Sequence, residues 1–218
     1  MTTHTEENYL KALFSLSEES GEITVARLSK KLRVKMPTVT SMMKKLAQRK
    51  FVLYTRYEPM RLTGKGRKAA LLIIRKHRLV EMYLVKKMNF SWEEVHELAE
   101  QLEHLDAPKF FDRMDEVLGF PTIDPHGEPI PDKAGSLDST TYQPLSTCKE
   151  GDTVRLRSVN DASTEFLIFL NNRGLRLGLK LRVRAVEPFE GSLVIRYGRR
   201  QAETLPHTVC DRLLVERV

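Results

Sequence analysis

The chain has 218 residues, room for two or three small domains, and its 41% hydrophobic and 30% charged residues exclude a disordered polymer. The longest apolar run, residues 69–74, is too short to cross a bilayer, and the first residues lack the basic flank and apolar core of a secretory signal. Two cysteines, Cys148 and Cys210, are too few for a disulfide framework, so the expected location is cytoplasmic. The net charge of +7 is unevenly spread: residues 23–75 hold fifteen Lys and Arg against one acid, Glu58. Such a stretch is either a solvated lysine-rich face or a surface for a phosphate backbone, and the elements inside it decide between them.

Residues 6–17 predict a helix, with Tyr9, Leu10, Leu13, Phe14 and Leu16 near helical spacing. Thr24 suits the N-cap of a second helix that carries Val25, Leu28 and Leu32 on one side. After a short turn, Pro37 can open a third helix, because the first turn does not need its missing N–H. That helix runs to about Arg49 with Val39, Met42, Met43 and Leu46 facing inward. Two short helices joined by a tight turn form the helix-turn-helix pattern. Residues 51–57 and 61–63, with a turn at Glu58-Pro59, then predict a basic-rimmed hairpin where a wing would stand. Candidate DNA-binding residues are Lys35, Pro37, Thr38, Thr40, Ser41, Lys44 and Arg56. Hydroxyls near the start of the third helix can approach base edges, while the cations hold phosphates. An inert basic bundle would leave the cations on both turn and hairpin unexplained, so double-stranded DNA is the expected partner.

A long helix is expected from 65 to 87, carrying His77 and Glu81 four residues apart and hence on one face. Another should begin after Ser91, an N-cap with Glu94 three residues on. Its polar stripe reads His96, Glu100, Glu103 and His104, opposite Val95, Leu98, Leu102 and Leu105. A proline-rich exit at 124–131 and a polar linker to about 147 follow. From Gly151 the apolar period becomes two, with strands expected at 153–159, 180–186, 192–197 and 213–218 and a helical stretch near 164–170. Several short strands in so few residues suggest a small barrel.

Carboxylates and neutral imidazoles together make sites for divalent transition metals. Glu100, Glu103 and His104 form one candidate set, and His77, Glu81 and His96 a second. A solvated acidic face with incidental histidines is the alternative. It has to explain why four of the six histidines fall in or just after this middle region.

The run Lys76-His-Arg-Leu-Val-Glu81, the pattern Val95-His96 … Glu100-Gln-Leu-Glu103-His104 and Gly127-Glu-Pro-Ile-Pro131 resemble the diphtheria-toxin-repressor family of metal-dependent regulators. Glu6-Glu-Asn-Tyr-Leu, the helix-turn-helix and Leu62-Thr-Gly-Lys-Gly-Arg fit the same family, and the tail from Gly151 resembles the SH3-like, ferrous-iron-transport A-type domain of some members. The resemblance implies an α+β protein. A winged helix-turn-helix would occupy 1–73, an all-α dimerisation and metal-binding domain 74–136, a linker 137–149 and an SH3-like β-barrel 150–218. It implies a homodimer on a palindromic operator, with no membrane partner and no small organic substrate. It also implies two metal sites: a primary one of Asn8, Glu100, Glu103 and His104, and an ancillary one of His77, Glu81 and His96. Asn8 stands where the family usually has Asp or Met, and Lys11 where the short manganese sensors have glutamate. Glutamate at position 100, where iron sensors carry cysteine, favours Mn(II) over Fe(II). Glu165 is a further ligand candidate. A metal-independent winged-helix regulator and a metal-dependent hydrolase are the competing readings. The hydrolase finds no nucleophile motif to support it, and an enzyme is not expected.

Overall fold

The computed structural model describes residues 2–19, 21–137, 141–198 and 202–218. These fall into two compact units. One holds residues 1–80, 99–122 and 130–138; the other holds 81–98, 123–129 and 139–218. The linker expected at 137–149 includes residues 138–140, which lie outside the described residues.

In the first unit α1 (His4–Glu18) starts two residues before the sequence suggests, because Thr3 and Glu6 form a reciprocal capping box. Thr24 caps α2 (Val25–Leu32) as expected, accepting from the Arg27 amide. Arg33, in the left-handed conformation, ends α2, and α3 (Met36–Gln48) follows with Pro37 in its first turn. The hairpin is shorter than expected: β1 (Val52–Leu53) pairs with β2 (Arg61–Leu62) over two residues each. The Met60 amide donates to the Ile23 carbonyl at 2.8 Å and ties the hairpin back to the start of α2. Leu10, Leu13, Leu28, Val39, Met43 and Leu46 are fully buried and form the centre of the core, with Ala70, Leu71 and Ile73 of α4 (Gly64–Met88) packed on it. At Gly66 an added Cβ would overlap the Phe51 carbonyl oxygen, so the Leu62-Thr-Gly-Lys-Gly-Arg motif keeps α4 close against the hairpin.

Ser91 does bond Glu94, but residues 92–94 form a turn and α5 (Val95–Leu102) begins only at Val95. α5 also stops before Glu103, which with His104 lies in the turn that follows the helix. A helix absent from the sequence reading, α6 (Pro108–Val117), buries Phe111 and Met114 in the first unit.

The second unit is built on an antiparallel sheet with strand order β3-β8-β4-β5-β6-β7. Its strands are β3 (Gln143–Pro144), β4 (Thr153–Val159), β5 (Lys180–Val186), β6 (Leu193–Tyr197), β7 (Glu203–Leu205) and β8 (Leu213–Arg217). Alternate residues such as Val154, Leu156, Leu181, Val183, Leu193 and Ile195 point into one core, covered by Leu167 and Leu170 of α7 (Thr164–Arg173). A one-turn helix, α8 (His207–Cys210), precedes β8. The expected barrel is not closed among the described residues. β3 and β7 end the sheet without pairing to each other, and β3 is two residues long with Pro144 lacking a donor.

Candidate metal centre and nucleic-acid interface

The candidate interface stands on α3. Val39, Met43 and Leu46 anchor its inner face, which leaves Lys35, Pro37, Thr38, Ser41 and Lys44 exposed and Thr40 half-buried. Arg56 is exposed on the hairpin loop, its guanidinium 4.7 Å from the Tyr57 ring centroid. The far end of α3 is pinned to α1: the fully buried Glu6 carboxylate receives Arg49 Nη1 at 2.6 Å and faces Lys45 Nζ at 3.3 Å. Burial raises the Glu6 pKa, but the Thr3 amide, Arg49 and Lys45 outweigh it and hold the group at about 2.

Among the described residues, each unit holds a cluster of acids and imidazoles. In the first, Lys11 on α1 donates to Glu100 Oε1 at 2.6 Å and to both oxygens of Glu103, at 2.8 and 2.7 Å. Glu103 is completely buried, and His77 Nδ1 lies 2.6 Å from its Oε2. One turn back along α1, Glu7 Oε2 is 2.6 Å from His104 Nδ1, while His104 Nε2 is 3.5 Å from Glu103 Oε1. The His4 ring stacks on His104. Asn8, the α1 residue singled out by the resemblance, is exposed instead. The helical repeat explains this: Glu7 and Lys11, four apart, share the face that meets residues 100–104, and Asn8 points about 100° away from Glu7. As a metal site this first set does not fit as it stands, because an ammonium already occupies the position between the two carboxylates.

In the second unit Glu81, Asp124 and His126 are all buried, each offering one ligand atom within 4.8 Å of the others. His126 Nδ1 is 3.7 Å from Glu81 Oε2, and His96 Nδ1 is 3.3 Å from Glu81 Oε1. The other His126 nitrogen, Nε2, lies 2.9 Å from the Trp92 carbonyl oxygen, and the Trp92 ring stacks on the imidazole. Both ring nitrogens of His126 thus face acceptors, the Trp92 carbonyl at Nε2 and the Glu81 carboxylate at Nδ1. Asp124 Oδ1 accepts from the amides of His126 and Glu128 at 2.8 and 2.9 Å, which curls the proline-rich segment into a tight turn. The turn is pressed on β4: the Val159 amide donates to the His126 carbonyl at 3.0 Å. Gly127, at φ +85°, has no room for a Cβ beside the Arg157 carbonyl. Burial pushes the His126 pKa down, yet the hydrogen bond and charge of Glu81, the charge of Asp124 and the Trp92 carbonyl leave it raised. Two carboxylates with one imidazole, all buried, are a fitting donor set for a divalent transition ion.

Of the expected ancillary residues, Glu81 and His96 meet here, and His77, one turn earlier on the same helix α4, also faces Glu103. Glu165 is exposed in the first turn of α7. Asp124 and His126 escaped the sequence reading as ligands. The only signal was a histidine and an acid flanking Pro125 inside a segment that reads as an exit loop.

Comparison with known proteins places these features. Residues 1–59 match the model of the iron dependent repressor N-terminal DNA binding domain, and residues 63–132 match the iron dependent repressor metal binding and dimerisation domain. Residues 143–217 match the FeoA domain. The chain is 31% identical to the iron-dependent repressor IdeR of Mycobacterium leprae, over 98% of this chain and 97% of that protein. A solved manganese-dependent transcriptional repressor in complex with manganese is similar at TM-score 0.88 and 31% identity, covering 98% of this chain and 100% of that one. ScaR with bound Zn2+ is similar at TM-score 0.82 and 31% identity, covering 98% and 99%. The chain belongs to the iron-dependent repressor family.

Proposed function

We propose that this chain is a DNA-binding transcriptional repressor, active as a homodimer on a palindromic operator when a divalent transition metal is bound, and that its metal centre is Glu81, Asp124 and His126 with His96 at its edge. The observation that carries this reading is the buried Glu81–Asp124–His126 cluster in a chain that also exposes a basic helix-turn-helix. A bound ion would be met by three buried donor groups within reach of one another. Glu81 and Asp124 would hold it, His126 Nδ1 would complete the set, and the Trp92 carbonyl would fix the imidazole's orientation. The oxygen-rich donors favour Mn(II), with Fe(II) next. Glu81 lies on α4, the helix that leaves the hairpin two residues after β2, so fixing Glu81 acts on an element continuous with the DNA-binding region.

Phe110 and Val117 of α6 and the following Phe120 are exposed apolar groups, which supports a homodimer through this region. We read the C-terminal sheet as an SH3-like fold and a cytoplasmic repressor as its setting. No helix among the described residues is long and apolar enough to cross a membrane.

The test is fluorescence anisotropy on DNA from upstream of the chain's own gene, at fixed salt, with Mn(II), anaerobic Fe(II) and a chelator. Metal should tighten binding and chelator reverse it, and Glu81→Gln combined with Asp124→Asn should abolish the response. Tight binding indifferent to chelator would instead make this a metal-independent regulator.

A further inference from the structure

We propose that Lys11 is a tethered cation that takes the place of a metal ion between Glu100 and Glu103, so that α1 is tied to the end of α5 whether or not metal is present. Its corollary, that the chain binds a single regulatory ion at the Glu81–Asp124–His126 centre, rests on the function proposed above; the Lys11 tie itself does not.

The argument starts from Glu103. A carboxylate with no solvent exposure must be neutralised or ion-paired, because burial of a lone charge is far costlier than burial of a pair. Lys11 meets that need. Its ammonium has three protons and faces three acceptor oxygens, at 2.6, 2.8 and 2.7 Å, two of them on Glu103 and one on Glu100. Charge-assisted bonds of this length are among the strong hydrogen bonds of proteins. The Lys11 side chain is itself only 18% exposed, so water screens the contact little.

A divalent ion bound by the same oxygens would stand beside the ammonium, and like charges at that separation in a poorly solvated site exclude each other. Metal could enter only if Lys11 swung out, breaking all three bonds and stranding a second cation. The neighbouring contacts do not require an ion either. Glu7 already pairs with His104, and His77 already faces Glu103. Along α1, Glu7 and Lys11 therefore form one continuous polar seam with residues 100–104, made from the chain's own charges.

The test uses the full chain, stripped of metal and then titrated. Metal per chain is counted by elemental analysis at saturating Mn(II), and hydrogen exchange of the α1 amides is followed with Mn(II) or with chelator. The native chain is expected to bind one Mn(II), and its α1 exchange should be the same in both conditions. Glu100→Gln, at the half-exposed side of the cluster, should leave the stoichiometry at one and the affinity within about twofold. Lys11→Met, in chelator, should speed α1 exchange about tenfold, the loss of roughly one charged hydrogen bond's net contribution, and Lys11→Arg should restore protection. A second Mn(II) in the native chain that disappears in Glu100→Gln would overturn the proposal, as would undiminished α1 protection in Lys11→Met. Absence of any Mn(II) binding would defeat the proposed function, while the α1 exchange would still decide the Lys11 tie.

Discussion

Glu6→Gln isolates the contact that fixes α3, the candidate recognition helix, to α1. The substitution keeps the side chain's size and leaves a carbonyl oxygen to accept from the Thr3 amide at 2.8 Å. It removes the charge that Arg49 and Lys45 face. Because the folded group sits at about 2 against an ordinary 4.5, the charged form is favoured in the native state. Each unit of such a difference is worth about 1.4 kcal/mol, so the carboxylate contributes on the order of 3 kcal/mol near neutral pH. Arg49 and Lys45 are partly exposed, and screening brings the expected effect closer to about 2 kcal/mol. The folded pKa lies below the unfolded one, so this stability is present above about pH 4.5 and is lost as pH falls towards 2. Denaturant unfolding in chelator, followed from pH 7 to pH 2, should show the native chain more stable at pH 7. The gap to Glu6→Gln should close across the acid window. A gap that stays constant with pH would refute the reasoning, since the loss would then lie in packing rather than charge.

Other expectations rest on single contacts. Gly127→Ala would force a Cβ into the Arg157 carbonyl at a positive φ and should cost about 3 kcal/mol in thermal unfolding, with Mn(II) affinity falling as the Asp124–His126 turn is displaced; an unchanged melting temperature would contradict it. Lys44→Ala should lower the slope of log binding constant against log salt on duplex DNA by about 0.9, the contribution of one phosphate contact, without changing metal affinity. Cys210 is wholly buried and its thiol is pushed up to about 11, chiefly by desolvation, so it should resist alkylation in the native chain and react only on unfolding, as read by mass spectrometry.

Local rules carry much of the fold into the sequence. Thr24, Pro37 and the alternation in residues 153–159 and 180–186 mark their elements because a cap, a fixed φ or a pleat acts within a few residues. The winged-helix region was legible for the same reason. α6 was not, since ten residues with charges on half of their positions give a weak period, and its burial of Phe111 depends on distant partners. The acidic stripe divides at its start: Glu100, Glu103 and His104 gather beside Lys11 and Glu7, while His96 faces Glu81 in the other unit. Asp124 and His126 meet Glu81 only because a glycine-tight turn is strapped to β4, a contact that joins residues more than thirty positions apart. Spacing along a chain cannot report that.

Trp92 is the sole tryptophan of the chain, and its indole lies flat on the His126 imidazole with Nε1 donating to Asn171 Oδ1. A fluorophore is thereby built against the candidate centre. Whether that imidazole is protonated, neutral or bonded to an ion alters the electron demand on the indole face, so intrinsic emission should follow events at the centre. The molecule needs no attached dye for its loading to be watched in real time.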